Sequence, residues 1–287
     1  MSNGINKRQN EIKSIQMLAA QRQLYSNNKK VFYFGAVFSV FVPFVLSLVS
    51  IYSTNIHNVQ VFLYGCSLMS LVITVLFEGN QTQKKNIAAL IQQQFDIYVY
   101  NMEWNNEKFG RNRNVDGYIS KYSEKIMANK EARNQLRNWY NKEADNMPLN
   151  DGIFACQREN CYWDVALRKR TKIICIFFAV LPLVIFSIIN LIRQEELTIF
   201  FGNLFILVPV LIWIIATIKK LNQDISRLEN LDSIISDMSP NTMDKLIDIQ
   251  GILYEHRKEA FVIPDVIYWI CRHIDEYEQG RLMKMSK

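Results

Sequence analysis

The stretch IICIFFAVLPLVIFSIINLI, residues 173–192, contains no acidic or basic side chain. At about 1.5 Å per helical residue, it is long enough to cross a hydrocarbon core of roughly 30 Å. Residues 31–54, 59–77 and 197–218 have the same character. Buried helices of soluble proteins are seldom free of charge over such lengths, so four of them indicate a membrane protein. The sequence therefore predicts an all-α membrane protein with four transmembrane helices in two hairpins.

These apolar stretches divide the chain of 287 residues into five segments. Mean hydropathy is close to zero although 21% of the residues are charged, because the charges lie outside the apolar stretches. A long polar segment precedes the first stretch, which argues against a cleavable signal peptide. We expect a cytoplasmic N-terminal amphipathic helix over residues 1–30, a transmembrane hairpin over 31–78, a cytoplasmic helical insert over 79–171, a second transmembrane hairpin over 172–218, and cytoplasmic C-terminal helices over 219–287.

The distribution of Lys and Arg predicts the orientation of the chain. Residues 1–30 contain six of these cations and residues 79–172 contain sixteen. The connector at 55–58 has none, and the connector at 193–196 has one Arg beside two Glu. By the positive-inside rule, both termini and the insert lie in the cytoplasm.

Helical periodicity and turn residues predict the elements of the cytoplasmic segments. In the insert, Asn150 or Asp151 is expected to cap a helix that continues into the third span. The predicted elements are a helix over 83–104, a loop over 105–117, a polar helix over 118–142, a turn over 147–152, and C-terminal helices over 219–237, 240–257 and 264–279.

The chain lacks the sequence patterns of common enzymes. Its ten glycines are scattered, so no glycine-rich phosphate loop is present. Its three histidines lie far apart, and Cys156 and Cys161 do not have the spacing of a zinc site. We therefore expect no catalytic residues, no metal and no cofactor.

Polar side chains recur at helical spacing in the first hairpin, on one face of each span. Such stripes either line a pore, with Glu78 at its cytoplasmic mouth, or allow close packing of helices. Pro43, Pro182 and Pro209 predict kinks in three of the spans. The candidate pore-lining residues are Ser39, Ser47 and Ser50 in the first span and Ser67, Ser70, Thr74 and Glu78 in the second.

The segment CQRENCYWDVALRKR, residues 156–170, precedes the third span. Its basic end is expected to anchor that span on the inner side of the membrane. Before that end, Arg158 offers a fork for phosphate, Gln157 and Asn160 offer amides for a base edge, and Trp163 offers a ring for stacking. This combination indicates a nucleotide ligand.

Four parts of the chain, in order, resemble the S-4TM family of four-transmembrane effectors associated with bacterial cyclic-oligonucleotide synthases. They are RQNEIKSIQMLAAQRQLYSNNKK, IQQQFDIYVYNMEWN, LRNWY followed by CQRENCYWDVALRKR, and IPDVIYWICRHIDE. The resemblance implies a pore-forming effector of a CBASS antiphage system in the bacterial inner membrane, activated by a cyclic di- or oligonucleotide. Lys258 stands where the family pattern has a second Arg, which replaces a guanidinium fork by a single ammonium.

The expected partners are the lipid bilayer, a cyclic nucleotide and further copies of the chain, with no nucleic acid polymer. Two alternatives stay open: a non-conducting membrane scaffold that recruits a protein partner, and a constitutive small-ion channel. The candidate ligand-binding residues are Gln157, Arg158, Asn160, Trp163, Trp104, Trp139, Tyr140, Arg257 and Arg272.

Overall fold

The computed structural model describes residues 2–53, 56–78, 82–237 and 242–267, without the side chains of 75–78, 82 and 237. Every regular element in these ranges is helical, which confirms the predicted all-α class. The helices are α1 (Ile5–Gln9), α2 (Ile12–Ala36), α3 (Val42–Tyr52), α4 (His57–Glu78), α5 (Thr82–Tyr100), α6 (Asn106–Phe109), α7 (Asp116–Ala128), α8 (Lys130–Asn134), α9 (Leu149–Arg193), α10 (Leu197–Leu204), α11 (Val208–Asp237) and α12 (Met243–Glu259).

The chain forms two compact units, each built from three separate segments. We call residues 1–28, 82–166 and 224–261 the polar unit. The described residues of the membrane unit are 29–53, 56–78, 167–223 and 262–267, and they include nearly all of the four apolar stretches. Helix α9 contributes residues to both units, because it runs without interruption from Leu149 to Arg193.

The N-terminal segment is part of the core of the polar unit. Ile15, Leu18 and Leu24 of α2 are at most 2% exposed and share one hydrophobic cluster with Ile91 and Phe95 of α5. The apolar face of the amphipathic helix predicted over residues 1–30 is thus covered by other parts of the chain. The helix is also interrupted, since α1 ends at Gln9 and α2 begins at Ile12.

The polar helix predicted over 118–142 is wrong in its second half. The structure has α7, then α8 from Lys130 to Asn134, and no helix over 135–141. Asn138 adopts φ 53°, in the left-handed region, which stops a right-handed helix. The N–H groups of Asn138 and Tyr140 donate to the side chains of Asn10 and Gln9. The N-terminal segment therefore satisfies backbone donors that a helix would have used.

Two smaller predictions are also corrected. The loop predicted over 105–117 contains a short helix, α6, because the Asn105 side chain accepts from the N–H groups of Glu107 and Lys108. Asn150 and Asp151 do not cap α9, because the helix already begins at Leu149. Of the three C-terminal helices, the first two correspond to the end of α11 and to α12, and most of the third lies outside the described residues.

Three continuous helical segments of the described chain are long and apolar enough to cross a membrane: Ile12–Tyr52, Leu149–Arg193 and Leu197–Ser236. Many of their large apolar side chains are exposed, including Phe177 at 60% and Phe205 at 70%, as expected for surfaces that face lipid. The remaining stretch, 59–77, lies within α4, whose side chains are described only as far as Thr74. The count of four spans stays a prediction.

Two of the three prolines coincide with irregular turns. A π-helical turn, Val37–Phe41, comes directly before α3 and Pro43, and a 3₁₀ turn, Phe205–Leu207, comes before Pro209. Because proline has no N–H and its ring clashes with the preceding turn, such departures from α geometry are expected. Pro182 lies inside α9, which is assigned as one α-helix throughout.

Candidate functional site

A buried carboxylate organises the middle of the polar unit. Asp96 of α5 is fully buried and accepts from the Tyr140 hydroxyl at 2.5 Å and from Arg257 Nη1 at 2.5 Å. Gln250 Nε2 donates to the same carboxylate at 2.9 Å. A charge removed from water is tolerated only where such partners replace its hydration. These groups therefore fix α5, α12 and the 139–141 segment relative to each other.

The charges of this cluster fit its burial. Burial by itself would lower the pKa of Arg257, but the Asp96 carboxylate outweighs it, so that the pKa lies above its usual range. Burial raises the pKa of Tyr140 well above 10.0, and the negative charge of Asp96 raises it further. Arg257 is thus a permanent cation and Tyr140 a permanent hydroxyl donor at neutral pH.

A chain of glutamine amides extends the cluster to α9. Gln157 Nε2 donates to Gln250 Oε1 at 3.0 Å and to the Leu246 carbonyl at 2.9 Å. Gln250 Nε2 in turn donates to Gln93 Oε1 at 3.0 Å. We call Gln93, Asp96, Tyr140, Gln157, Gln250 and Arg257 the Asp96 cluster.

The Asp96 cluster is incompletely satisfied. Gln157 Oε1 and Gln93 Nε2 have no hydrogen-bond partner among the residues that the structure describes. Each unpaired buried amide atom costs about 1–3 kcal/mol. The packing of α9 against α5 and α12 therefore leaves one hydrogen-bond acceptor and one donor unpaired at its centre.

The structure brings four of the predicted ligand-binding residues together. Gln157, Tyr140 and Arg257 belong to the Asp96 cluster, where all three are bonded to protein groups. Asn160 joins them from the next turn of α9, since its Nδ2 lies 3.4 Å from the Tyr140 hydroxyl.

The other predicted residues have different surroundings. Arg158 is exposed on α9, Trp139 is 41% exposed, and Trp163 contacts the ring of Tyr162 edge-on at 5.8 Å. Trp104 Nε1 donates to the Gly110 carbonyl at 2.9 Å and does not belong to the cluster. Arg272 lies outside the described residues.

Sequence reasoning missed Asp96, Gln93 and Gln250, which hold the cluster together. A signal was present, because Gln93 and Asp96 fall on the helix face that also contains Tyr100, at spacings of three and four. An acid on an apolar helix face requires a buried cation or donor elsewhere in the chain. Nothing local, however, shows that this partner is Arg257, 161 positions later.

The hydroxyl stripes of the first hairpin lie in contacts within this chain. Ser39 Oγ and Thr74 Oγ1 are 2.8 Å apart, and Ser50 donates to Gln60 Oε1 at 2.6 Å. These contacts correspond to the packing alternative; the pore-lining role stays a prediction. The remaining contacts are Ser67 to the Ile206 carbonyl, Ser70 to the Phe38 carbonyl and Ser47 to the Phe44 carbonyl, while the Glu78 side chain lies outside the described residues.

Comparison with known protein families decides the relationship. The model of the SMODS-associating 4TM effector domain matches residues 3–284. The chain belongs to this family. The resemblance seen in the sequence is thereby confirmed, and the membership covers both the polar unit and the membrane unit.

The chain is also similar to a protein of Bacillus cereus (strain VD146) named a probable CBASS effector molecule. The two are 26% identical over 289 residues, a region that covers 94% of this chain and 93% of the relative. No solved structure matches the chain.

Proposed function

We propose that this chain is a CBASS antiphage effector that a cyclic di- or oligonucleotide activates and that permeabilises the bacterial inner membrane. Family membership and the Bacillus cereus relative support the effector role. The proposal includes no catalytic step. It places both termini and the polar unit in the cytoplasm and assigns the active state to a homo-oligomer.

One observation supports the coupling of a ligand to the membrane. Helix α9 contains Gln157 of the Asp96 cluster and also the whole apolar stretch 173–192. A helix is stiff along its axis, so a ligand that turns or shifts its first turns also displaces its later ones. Such a ligand must bind the active state more tightly than the resting one.

The surface next to the Asp96 cluster is the proposed ligand site. Residues 140–141 contact α9 at Glu159 and Asn160: Asn160 lies within reach of the Tyr140 hydroxyl, and Glu159 accepts from the Asn141 backbone. Arg158 and Trp139 are exposed beside these contacts, which suits a phosphate and a base. In this proposal Gln157, Tyr140 and Arg257 support the site from beneath.

Dye-filled liposomes containing the purified chain test the proposal when they are titrated with a panel of cyclic nucleotides. We expect leakage that begins only with one class of cyclic nucleotide. Arg158→Ala is expected to raise the required ligand concentration about tenfold or more, since a charge-assisted contact contributes about 1.5–3 kcal/mol. Arg22→Ala, an exposed arginine on α2, is the matched control.

Each other outcome rejects a defined part of the proposal. Leakage without any cyclic nucleotide rejects gating and favours a constitutive channel. Binding without leakage rejects permeabilisation and favours the membrane scaffold. An Arg158→Ala variant that responds like the parent chain rejects a ligand site at residues 158–160 of α9.

A further inference from the structure

Helix α4 lies against both irregular turns of the membrane unit. Ser67 and Ser70 are three residues apart on one face of α4 and are 3% and 2% exposed. Ser70 donates to the Phe38 carbonyl in the π turn before Pro43. Ser67 donates to the Ile206 carbonyl, at 2.9 Å, in the 3₁₀ turn before Pro209.

The Phe38 carbonyl needs a donor from outside its own helix. In the π turn, the N–H of Val42 donates to the Val37 carbonyl, five residues back. Phe38 therefore loses the donor it would have in an α-helix. The donor that a continued π register would supply is residue 43, a proline without an N–H. The Ser70 hydroxyl takes the place of that donor.

The second turn repeats the arrangement with a different register. In the 3₁₀ turn, the N–H of Val208 donates to the Phe205 carbonyl, three residues back. The same register would pair Ile206 with residue 209, which is again a proline. The Ser67 hydroxyl donates to the Ile206 carbonyl instead.

These contacts matter because the Phe38 and Ile206 carbonyls lie in helices long and apolar enough to cross a membrane. Hydrocarbon offers no water to an unpaired carbonyl, so a side chain of a neighbouring helix must supply the donor. Both donors belong to one turn of α4, and the nearby Ser39–Thr74 hydroxyl contact joins the same two helices as Ser70. A rotation of α4 would remove both donors together.

We propose that Ser67 and Ser70 form a double latch, in which α4 holds the two proline turns of the neighbouring spans in their resting conformation. Rotation or withdrawal of α4 frees both turns in one step, which makes α4 the conformational control element of the membrane unit. The latch goes beyond the proposed function, because it requires neither a cyclic nucleotide nor a conducting pore.

Hydrogen–deuterium exchange of the full chain in lipid nanodiscs, without any nucleotide, tests the latch. We compare Ser67→Ala, Ser70→Ala and the double variant with the parent chain, and follow peptides covering 37–44 and 203–210. The exchange rate is expected to rise about threefold for each lost contact. This factor corresponds to about 0.6 kcal/mol, the mean contribution of one interhelical hydrogen bond in a membrane. Ser70→Ala should affect mainly the first peptide and Ser67→Ala mainly the second.

Two further variants separate the latch from general loosening. Ser47→Ala removes an equally buried hydroxyl that, among the described residues, donates within its own helix, to the Phe44 carbonyl at 2.7 Å, and should leave both peptides unchanged. Ser70→Thr keeps the hydroxyl and should restore slow exchange. Ser70 and Gly65 are among the residues that line a groove of about 410 Å³.

Unchanged exchange in the double variant would overturn the latch. Equal acceleration by Ser47→Ala, or a Ser70→Thr variant that exchanges as fast as Ser70→Ala, would do so as well. The readout is independent of dye leakage, so a failure of the proposed effector function leaves this test intact.

Discussion

At the scale of single residues, the polar unit depends on one buried ion pair. Asp96 is fully buried, and its carboxylate lies 2.5 Å from Arg257 Nη1. Arg257 belongs to α12 and follows Asp96 by 161 residues in the chain. Replacing such a pair by apolar residues is often neutral, whereas removing one partner leaves an uncompensated charge. The two residues therefore tolerate joint replacement better than single replacement.

The first prediction concerns Asp96. Asp96→Asn is expected to lower the free energy of unfolding of the polar unit by about 3 kcal/mol, because Arg257 keeps its charge in a buried site. Denaturant titration of the purified chain, followed by tryptophan fluorescence, measures the loss. Glu124→Gln, an exposed acid on α7, is the control and should be neutral. A small loss, similar to that of the control, would contradict the importance of the pair.

The second prediction concerns Tyr140 at high pH. Its pKa is raised well above the ordinary value of 10.0 in the folded chain. The stability that it contributes is therefore fully present below the pKa of the unfolded chain, about pH 10. Above it the unfolded chain releases the proton and the folded chain does not, so stability falls as pH rises. We expect Tyr140→Phe to show a smaller loss of melting temperature between about pH 9 and pH 11. Equal slopes in both chains would mean that other groups cause the alkaline loss.

At the scale of the elements, the first turn of α9 packs so closely that it requires a glycine at position 152. A Cβ on Gly152 would lie 2.4 Å from the Ala144 carbonyl oxygen and 2.6 Å from Asn3 Nδ2. Both belong to the junction between the N-terminal segment and the 142–146 turn, where Asn3 Nδ2 donates to the Ala144 carbonyl at 2.7 Å. The first turn of α9 thus has no room for a larger residue.

The third prediction compares two glycines. Gly152→Ala is expected to destabilise the polar unit by about 1–3 kcal/mol, because the backbone of Ala144 must move. Gly117→Ala in α7 meets no atom within 4 Å. It should be neutral or stabilise by about 0.5 kcal/mol through the helical preference of alanine. Thermal unfolding of both variants checks the contrast, and a destabilised Gly117→Ala would contradict it.

How far the sequence predicts the elements depends on whether their causes are local. The apolar stretch 173–192 and the polar turns before it were sufficient to predict α9, because helical periodicity is a local property. The end of the helical structure before 135–141 could not be predicted, because Gln9 and Asn10 bond that backbone from over 120 residues away. The Asp96 cluster could not be predicted for the same reason. The sequence indicates Tyr140, Gln157 and Arg257 only individually, as candidate ligand-binding residues.

At the scale of the whole molecule, the number of spans decides which side of the membrane each segment occupies. Three spans are supported by the length and composition of described helices, and α4 is the element in question. With four spans, the insert and both termini lie on one side. With three, the N-terminal segment lies on the side opposite to the insert and the C-terminal segment.

The fourth prediction tests this topology with a maleimide that cannot cross the membrane. We expect a cysteine at Glu196→Cys to be labelled on intact cells, and Lys121→Cys and Arg22→Cys to be labelled only after permeabilisation. All three positions are exposed, so that reactivity reports the side of the membrane. The parent chain corrects for its own cysteines. Labelling of Lys121→Cys on intact cells would show that α4 does not span the membrane.

The division of the polar unit into three chain segments sets the order of events during synthesis. Residues 2–28, 82–166 and 224–261 are separated by the two apolar hairpins, and Arg257 comes from the last segment. Both apolar hairpins are therefore synthesised before Asp96 receives its cation. A chain that ends between residues 219 and 256 contains both apolar hairpins but lacks Arg257. The polar unit is thus completed only after the last of its three segments has been synthesised, and a shorter copy lacks the buried ion pair.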